Sequence, residues 1–276
     1  PHPSLAVLYS RHNIPSQAVY SKLPIKLKLQ RENNVITISN HLRTALTTPA
    51  GTLVRSFSPP AGGNAKAEKS AKAGKPMLIH YMRPSLKSCP FSTKGCMKGC
   101  LSGGGNLATT SAKLSLITKL GAFTKYPAEY SDWLHQNLQK WHESIHARCD
   151  GTSDGGFENY PVNGQRSIYH ANPNRIFEEY TKKPLSLRLN VPGNVSLTYS
   201  LNESAESPEF AEEYLGAGFG TTIVVAGPIN SRQPLKTAKA VAAGLVAQGG
   251  IGRWQTVEGD AHDWRSSDPP SSLVVL

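Results

Sequence analysis

Strand-like and helix-like segments alternate along residues 76–276, and this alternation limits the possible folds more than any other feature of the sequence. Apolar or β-branched runs typical of strands lie at 77–82, 185–191, 195–200, 221–226, 253–257 and 272–276. Helical apolar spacing or small-residue composition lies at 107–120, 128–147, 208–215 and 238–247. Strands that alternate with helices favour a mostly parallel sheet with helices packed outside it. We therefore predict an α/β fold, built as an open sheet or as a partial (β/α) barrel.

The first 75 residues differ from the remainder, and we predict two units, 1–75 and 76–276. Two short strand patterns lie at 25–29 and 35–38, and a Lys/Gly/Ala-rich stretch at 59–75 is typical of a solvated loop. Residues 1–98 carry fifteen basic and two acidic side chains, a net charge of +13, whereas residues 99–276 carry a net charge of −2. Such asymmetry indicates a polyanionic partner, and we expect nucleic acid to bind through residues 1–98. A basic, soluble region without a specific ligand is the alternative.

No apolar run reaches the length of about 18 to 20 residues that a membrane span needs, and the first 30 residues lack a secretory signal pattern. We expect a cytoplasmic protein with no membrane partner. The sequence leaves the oligomeric state open.

Three of the four cysteines, Cys89, Cys96 and Cys100, fall within twelve residues. Thiolates this close along a chain can converge on one soft metal ion or on an iron–sulfur cluster. Lys87, Lys94 and Lys98 flank them, and their positive charges favour thiolate over thiol. Three interpretations remain open at this point: an iron–sulfur cluster with one open position, a structural zinc ion with Cys149 or a histidine as fourth ligand, or a disulfide with free thiols.

Polar residues follow several predicted strands, and parallel strands present their carboxyl ends at one edge of a sheet, where α/β proteins bind ligands. We therefore predict one shared rim near the cysteines. The candidate catalytic residues there are Asp154, Lys182, Glu203, Asp260 and Asp263. The candidate cofactor-binding residues are Ser153, Ser200 and the turn Gly103, Gly104, Gly105 and Asn106. For each residue alone, a helix cap or a turn is the competing interpretation.

Two further site classes fit parts of the sequence. Asp260, His262 and Asp263, with Asp154 and Glu203, can form a hard divalent-cation site for nuclease chemistry. The segment 142–146 reads His-Glu-Ser-Ile-His within the predicted helix 128–147, which matches the zinc-protease spacing of two histidines on one helix face.

Several separated motifs together resemble the phage and plasmid proteins of the gene product 88-like family. They are Cys89-Pro90 with Cys96 and Cys100, Gly151-Thr152-Ser153-Asp154, Tyr180-Thr181-Lys182, and Gly259-Asp260 with Asp263 and Asp268-Pro269. The resemblance covers residues 79–276 and leaves the first 75 residues unmatched.

The family's layout, three early cysteines followed by strand–helix repeats, is similar to that of radical-SAM iron–sulfur barrels. This analogy implies an iron–sulfur cluster held by Cys89, Cys96 and Cys100, with zinc as the alternative, and S-adenosylmethionine as a cofactor of an enzyme acting on or near nucleic acid. The cysteines are separated by six and then three residues, a departure from the radical-SAM spacing of three and then two. Cys149 stands where the family tolerates leucine, which favours a buried apolar role. A non-catalytic nucleic-acid-binding protein, with structural zinc or no metal, is the alternative function.

Overall fold

The structure is a computed structural model that describes residues 38–60, 65–188, 190–224, 234–251, 253–259 and 262–276. The predicted strand at 25–29 and nearly all of the one at 35–38 lie outside these residues, as does Asp260. Within the described part of the chain, no helix is both long enough and apolar enough to cross a membrane.

The described elements alternate along the chain as the sequence predicts. The helices are α1 (Asn40–Ala45), α2 (Ala65–Lys72), α3 (Lys94–Lys98), α4 (Thr110–Lys125), α5 (Pro127–Leu138), α6 (Ser207–Gly216) and α7 (Pro234–Ala247). The strands are β1 (Met77–Ile79), β2 (His146–Arg148), β3 (Phe177–Thr181), β4 (Val195–Ser200), β5 (Gly220–Ile223), β6 (Gly250–Ile251), β7 (Trp254–Glu258) and β8 (Leu273–Val275).

The strands form one sheet in the order β1-β2-β3-β4-β5-β8-β7-β6. All pairs are parallel except the short antiparallel pair of β6 and β7. The predicted α/β fold with a mostly parallel sheet is confirmed. Because no pairing in the described residues joins β1 to the β6–β7 edge, the sheet is open and does not close into a barrel.

One face of the sheet carries the apolar core. Alternate strand residues such as Ala147, Phe177, Leu197 and Tyr199 point towards it and are fully or almost fully buried. Helices α4, α5 and α6 cover this face through side chains that include Phe123, Tyr130, Trp133, Leu134 and Tyr214. Burial of these large side chains supplies the main driving force for the fold.

The opposite face of the sheet is mostly polar, because the residues between the core positions are His146, Arg148, Glu178, Tyr180 and Thr198. The connection from β7 to β8 crosses this face. In that connection, Trp264 stacks on His146, with ring centroids 3.6 Å apart. Ser266 donates hydrogen bonds to Glu178 from its backbone nitrogen, at 3.0 Å, and from its hydroxyl, at 2.5 Å.

The predicted helix 128–147 is wrong in its second half. Helix α5 ends at Leu138, and His146 begins β2, so His142 and His146 do not share a helix face. The buried Arg175 guanidinium terminates the helix by donating to the carbonyls of Leu138 and Trp141, at 3.2 and 2.8 Å. The zinc-protease interpretation therefore loses its structural basis.

Three other local expectations are also wrong. Residues 185–188 form a 3-10 turn and not a strand. The stretch predicted as a loop contains α2, which leads into β1. Helix α4 continues through Gly121, because burial of Ala122 and Phe123 beyond it outweighs the cost of about 1 kcal/mol for a glycine in a helix.

Candidate functional site at the carboxyl ends of the strands

The loops that follow β2, β3 and β4 meet beside the segment that carries the three clustered cysteines. The backbone nitrogen of Asp154 donates to the carbonyl of Ser88 at 2.7 Å, and the Thr152 hydroxyl donates to the carbonyl of Met82 at 2.6 Å. These contacts attach the loop after β2 to Met82 and Ser88, the two ends of the segment that leads to Cys89. The predicted proximity of the cysteines to this rim is therefore present in the structure.

A second tie joins the cysteine segment to the loop after β4. The exposed Glu203 accepts a hydrogen bond from the backbone nitrogen of Gly95, in α3, at 2.6 Å. A Cβ atom at Gly95 would lie 2.5 Å from the same carboxylate oxygen, so a larger residue there would displace the Glu203 side chain from this position. Cys96 lies in α3, close to Lys182 at the end of β3 and to Glu203 after β4, and Cys100 directly follows α3.

The environments of the three half-buried thiols differ. Burial raises the pKa of Cys89 to about 12, and the carboxylates of Asp150 and Asp154 act in the same direction. Burial also raises the pKa of Cys96, against the opposing effect of the Lys182 ammonium group. The Cys100 sulfur accepts a hydrogen bond from Ser102 at 3.3 Å. Cys89 and Cys96 are therefore neutral thiols at neutral pH when no metal binds them.

All four cysteines are free thiols, so the disulfide alternative does not hold in this structure. Among the described residues, no group of three His, Cys, Asp or Glu side chains is arranged to hold a metal ion. The cysteines supply the soft donors that iron or zinc requires. Helix α3 has only five residues and none of them is buried, so little packing opposes a rearrangement of this segment.

Lys182 lies between the cysteines and the strand ends. Its ammonium group donates to the Ser200 carbonyl and hydroxyl, at 2.9 and 3.0 Å. Burial lowers the pKa of Lys182, and the neighbouring Cys96, Asp154 and Glu203 oppose this shift. Lys182, Ser200 and Glu203 therefore do lie at one rim, as the sequence predicts.

Asp154 is buried beneath this rim, and both of its carboxylate oxygens have hydrogen-bond partners. It accepts hydrogen bonds from the Thr181 hydroxyl, at 3.0 and 3.1 Å, and from the backbone nitrogen of Lys182, at 2.9 Å. Arg188 and Lys183 also approach it, at 3.3 and 3.8 Å. Asp154 thus fixes the end of β3 to the loop after β2.

Buried groups near Asp154 were missed by the sequence reasoning. Glu158 pairs with Arg188 at 3.3 Å, and Glu179 accepts hydrogen bonds from the backbone nitrogens of Cys149 and Asp150, at 2.7 and 3.0 Å. The two adjacent glutamates in β3 could have indicated a buried carboxyl group. Consecutive residues of a strand face opposite sides of the sheet, so one of the two must face the apolar layer.

The remaining candidates are dispersed. Ser153 is buried and donates to Asp150 at 2.6 Å. The turn with Gly103, Gly104, Gly105 and Asn106 is exposed and contains two 3-10 turns. Asp263 lies on the polar face of the sheet, where it pairs with Arg148 at 3.7 Å, because the β7–β8 connection crosses that face.

Cys149 is separate from the other cysteines. Its side chain has no exposed surface and belongs to the apolar core, and burial raises the pKa of its thiol well above the ordinary value. The predicted role of Cys149 as a buried apolar residue is confirmed.

Fold and rim together define an open parallel α/β protein with a cysteine-bearing segment over the carboxyl ends of its central strands. Comparison with protein families gives a match over residues 53–276 to the family described as Gene product 88. The chain belongs to this family, which confirms the resemblance drawn from the motifs. None of the curated proteins and none of the solved structures matches the chain.

Proposed function

We propose that this protein holds a metal centre through Cys89, Cys96 and Cys100, with an iron–sulfur cluster favoured over a zinc ion. The observation that carries the proposal is the location of all three cysteines on one short segment that is tied to the loops after β2 and β4. Cys149, the remaining cysteine, is buried in the apolar core.

Charge at the rim supports thiolate ligands. A cluster held by thiolates carries negative charge, and Lys182 places a half-buried cation beside Cys96. Because Cys89 and Cys96 are neutral thiols without metal, metal uptake releases protons, and metal affinity rises with pH. The short α3 has no buried residue and can move as the sulfurs converge, so metal binding is coupled to a rearrangement of the segment.

Three cysteine ligands leave one position of a cluster open to a small molecule. The enzymatic form of the proposal is S-adenosylmethionine bound at that position, beside Lys182 and Ser200. A reducing cytoplasmic location fits four free thiols.

A basic and partly apolar surface around the cysteines supports a second element of the proposal, action on or near nucleic acid. Arg83, Lys87, Lys94 and Lys98 are all exposed in this segment. Phe91 is also exposed, by 36%. Cations that contact phosphates and an aromatic ring that stacks on bases are the groups with which proteins hold single-stranded nucleic acid.

Metal analysis tests the main proposal. We expect protein purified without oxygen to contain iron and acid-labile sulfide, and the triple variant Cys89→Ser, Cys96→Ser and Cys100→Ser to contain neither. Cys149→Ala is the matched control and keeps the metal, because that thiol lies in the core. Full metal content in the triple variant would contradict the proposal, and about one zinc per chain would select the structural-zinc alternative.

A further inference from the structure

The polar face of the sheet holds a row of hydroxyl groups below the cysteine rim. Tyr180 in β3 is in register with Thr198 in β4, and Thr198 is in register with Gly220 in β5. Ser272 directly precedes β8 at the level of Gly220. Neighbouring strands lie about 4.8 Å apart. The row therefore crosses four strands, with a hydroxyl-bearing residue on β3, on β4 and beside β8, and with glycine on β5. Thr222 stands one level higher, in register with Ser200.

These hydroxyls are buried but have no hydrogen-bond partner among the described residues. The group consists of the hydroxyls of Tyr180, Thr198, Thr222 and Ser272. Thr198, Thr222 and Ser272 are each 1% exposed. Burying a hydroxyl without a partner is unfavourable, and several neighbouring cases on one face indicate a ligand that satisfies them.

The surrounding charged groups show what kind of ligand fits. The described carboxylates on this face are already paired, since Glu178 binds His146 at 2.7 Å and Ser266, Asp263 pairs with Arg148, and Asp268 pairs with Arg265 at 3.1 Å. The Arg148 guanidinium lies 4.6 Å from the centre of the Tyr180 ring. The Nε atom of the buried Arg265 has no partner within the described part of the chain. Among the described residues of this face, the donors that remain without a partner are therefore the four hydroxyls and the Arg265 Nε atom, beside two arginines that each pair with one aspartate.

Glycine occupies the middle of the row. Gly220 presents no side chain between Thr198 and Ser272, and a Cβ atom there would make an ordinary contact with the Thr198 hydroxyl oxygen, at 3.6 Å. The crossing β7–β8 connection covers the side nearer the start of the strands, where Trp264 stacks on His146. Lys182 and Ser200 stand at the other side, so the row faces the rim.

We propose that this hydroxyl row is a binding site for a small anion with a carboxylate or phosphate group. The hydroxyls and the Arg265 Nε atom donate hydrogen bonds to the anion, and Arg148 and Lys182 offset its charge. The site does not depend on a metal at the cysteines, so it stands or falls separately from the proposed metal centre.

Valine substitutions test this site because valine has nearly the shape of threonine without its hydroxyl. We expect inorganic phosphate or succinate, each compared with sodium chloride at equal ionic strength, to raise the melting temperature of the full-length chain. Thr198→Val and Thr222→Val each weaken that anion's apparent affinity at least tenfold. Without the anion, both variants melt at the wild-type temperature or higher, because each loses an unpartnered buried hydroxyl.

Thr256→Val is the matched control, since the buried Thr256 hydroxyl donates to the Leu245 carbonyl at 3.0 Å. This variant melts at a lower temperature and keeps the anion response. A response to phosphate alone assigns a phosphate ligand, and a response to succinate alone assigns a carboxylate. The proposal is overturned if neither anion acts, if the Thr198 and Thr222 variants keep the response, or if they lose as much stability without anion as Thr256→Val.

Discussion

A single carboxyl group, that of Glu179, illustrates how burial can link the stability of this fold to pH. Glu179 is 1% exposed, and its two oxygens accept the backbone N–H groups of Cys149 and Asp150. Burial raises its pKa to about 8, and the nearby Asp150 adds to the shift. Burial and Asp154 likewise raise the pKa of Asp150 to about 6. Both carboxyl groups therefore bind protons more tightly in the folded chain than in the unfolded chain.

This difference predicts that the protein loses stability as the pH rises from about 4.5 to about 8. In that range the folded state keeps the Glu179 proton that the unfolded state has lost, which contributes a slope of up to about 1.4 kcal/mol per pH unit. We expect Glu179→Gln to flatten the pH dependence of the unfolding free energy, measured by urea unfolding. The exposed Glu143→Gln is the control and leaves the slope unchanged. An unchanged slope in Glu179→Gln would show that Glu179 is ionised in the fold.

At the scale of elements, the segment from Arg83 to Leu101 carries both the proposed metal ligands and an exposed basic surface. Its only helix is α3, and it holds the three cysteines together with four exposed basic residues and no acidic one. Exposed Leu86 and Leu101 lie in the same segment, each 74% accessible. Apolar side chains among exposed cations are typical of a surface that contacts a partner.

Replacing lysines in this segment tests the nucleic-acid proposal. We expect the triple variant Lys87→Ala, Lys94→Ala and Lys98→Ala to bind single-stranded DNA more weakly and with a smaller salt dependence. Each lost phosphate contact reduces the slope of log affinity against log salt by about 0.7. The control triple variant Lys113→Ala, Lys140→Ala and Lys239→Ala removes three exposed lysines elsewhere. Equal losses in the two triple variants would mean that only net charge matters, and no binding at low salt would reject the proposal.

At the scale of the whole molecule, the folded unit extends beyond the family match. The match begins at residue 53, but Leu42 and Leu46, in and next to α1, are fully buried in the main core. The Ser39 hydroxyl caps α1 by accepting from the Leu42 backbone nitrogen at 3.1 Å, and it also donates to Glu129 in α5. Helix α1 is therefore part of the packed domain, and the core begins well before the predicted boundary at residue 75.

Truncation measures this contribution. We expect a chain of residues 53–276 to be less stable than a chain of residues 38–276 by more than about 4 kcal/mol, because two buried leucines are lost and each costs about 2–5 kcal/mol when truncated to alanine. Urea unfolding of the two chains gives the difference. Leu42→Ala and Leu46→Ala in the full chain are the finer comparison. Equal unfolding midpoints for the two truncated chains would place α1 outside the cooperative core.

The sequence by itself determined the α/β class, the approximate positions of most strands and the grouping of the three cysteines. Each of these depends on local pattern: strand and helix periodicities differ, and Cys89, Cys96 and Cys100 lie on one short stretch. Family motifs spread across residues 79–276 were also visible without coordinates, and the family match confirmed them.

Only the tertiary structure decided which polar residues meet. Asp263 pairs with Arg148, 115 positions away, because the β7–β8 connection crosses the polar face and does not end at the rim. Arg175 ends α5 from a separate segment, which the helical pattern of 128–147 could not show. The row of unpartnered hydroxyls arises from strand register. The periodicity of a sequence predicts which face of a helix or strand a side chain occupies. The partners of that side chain depend on how distant segments pack together, and no local stretch of sequence contains that information.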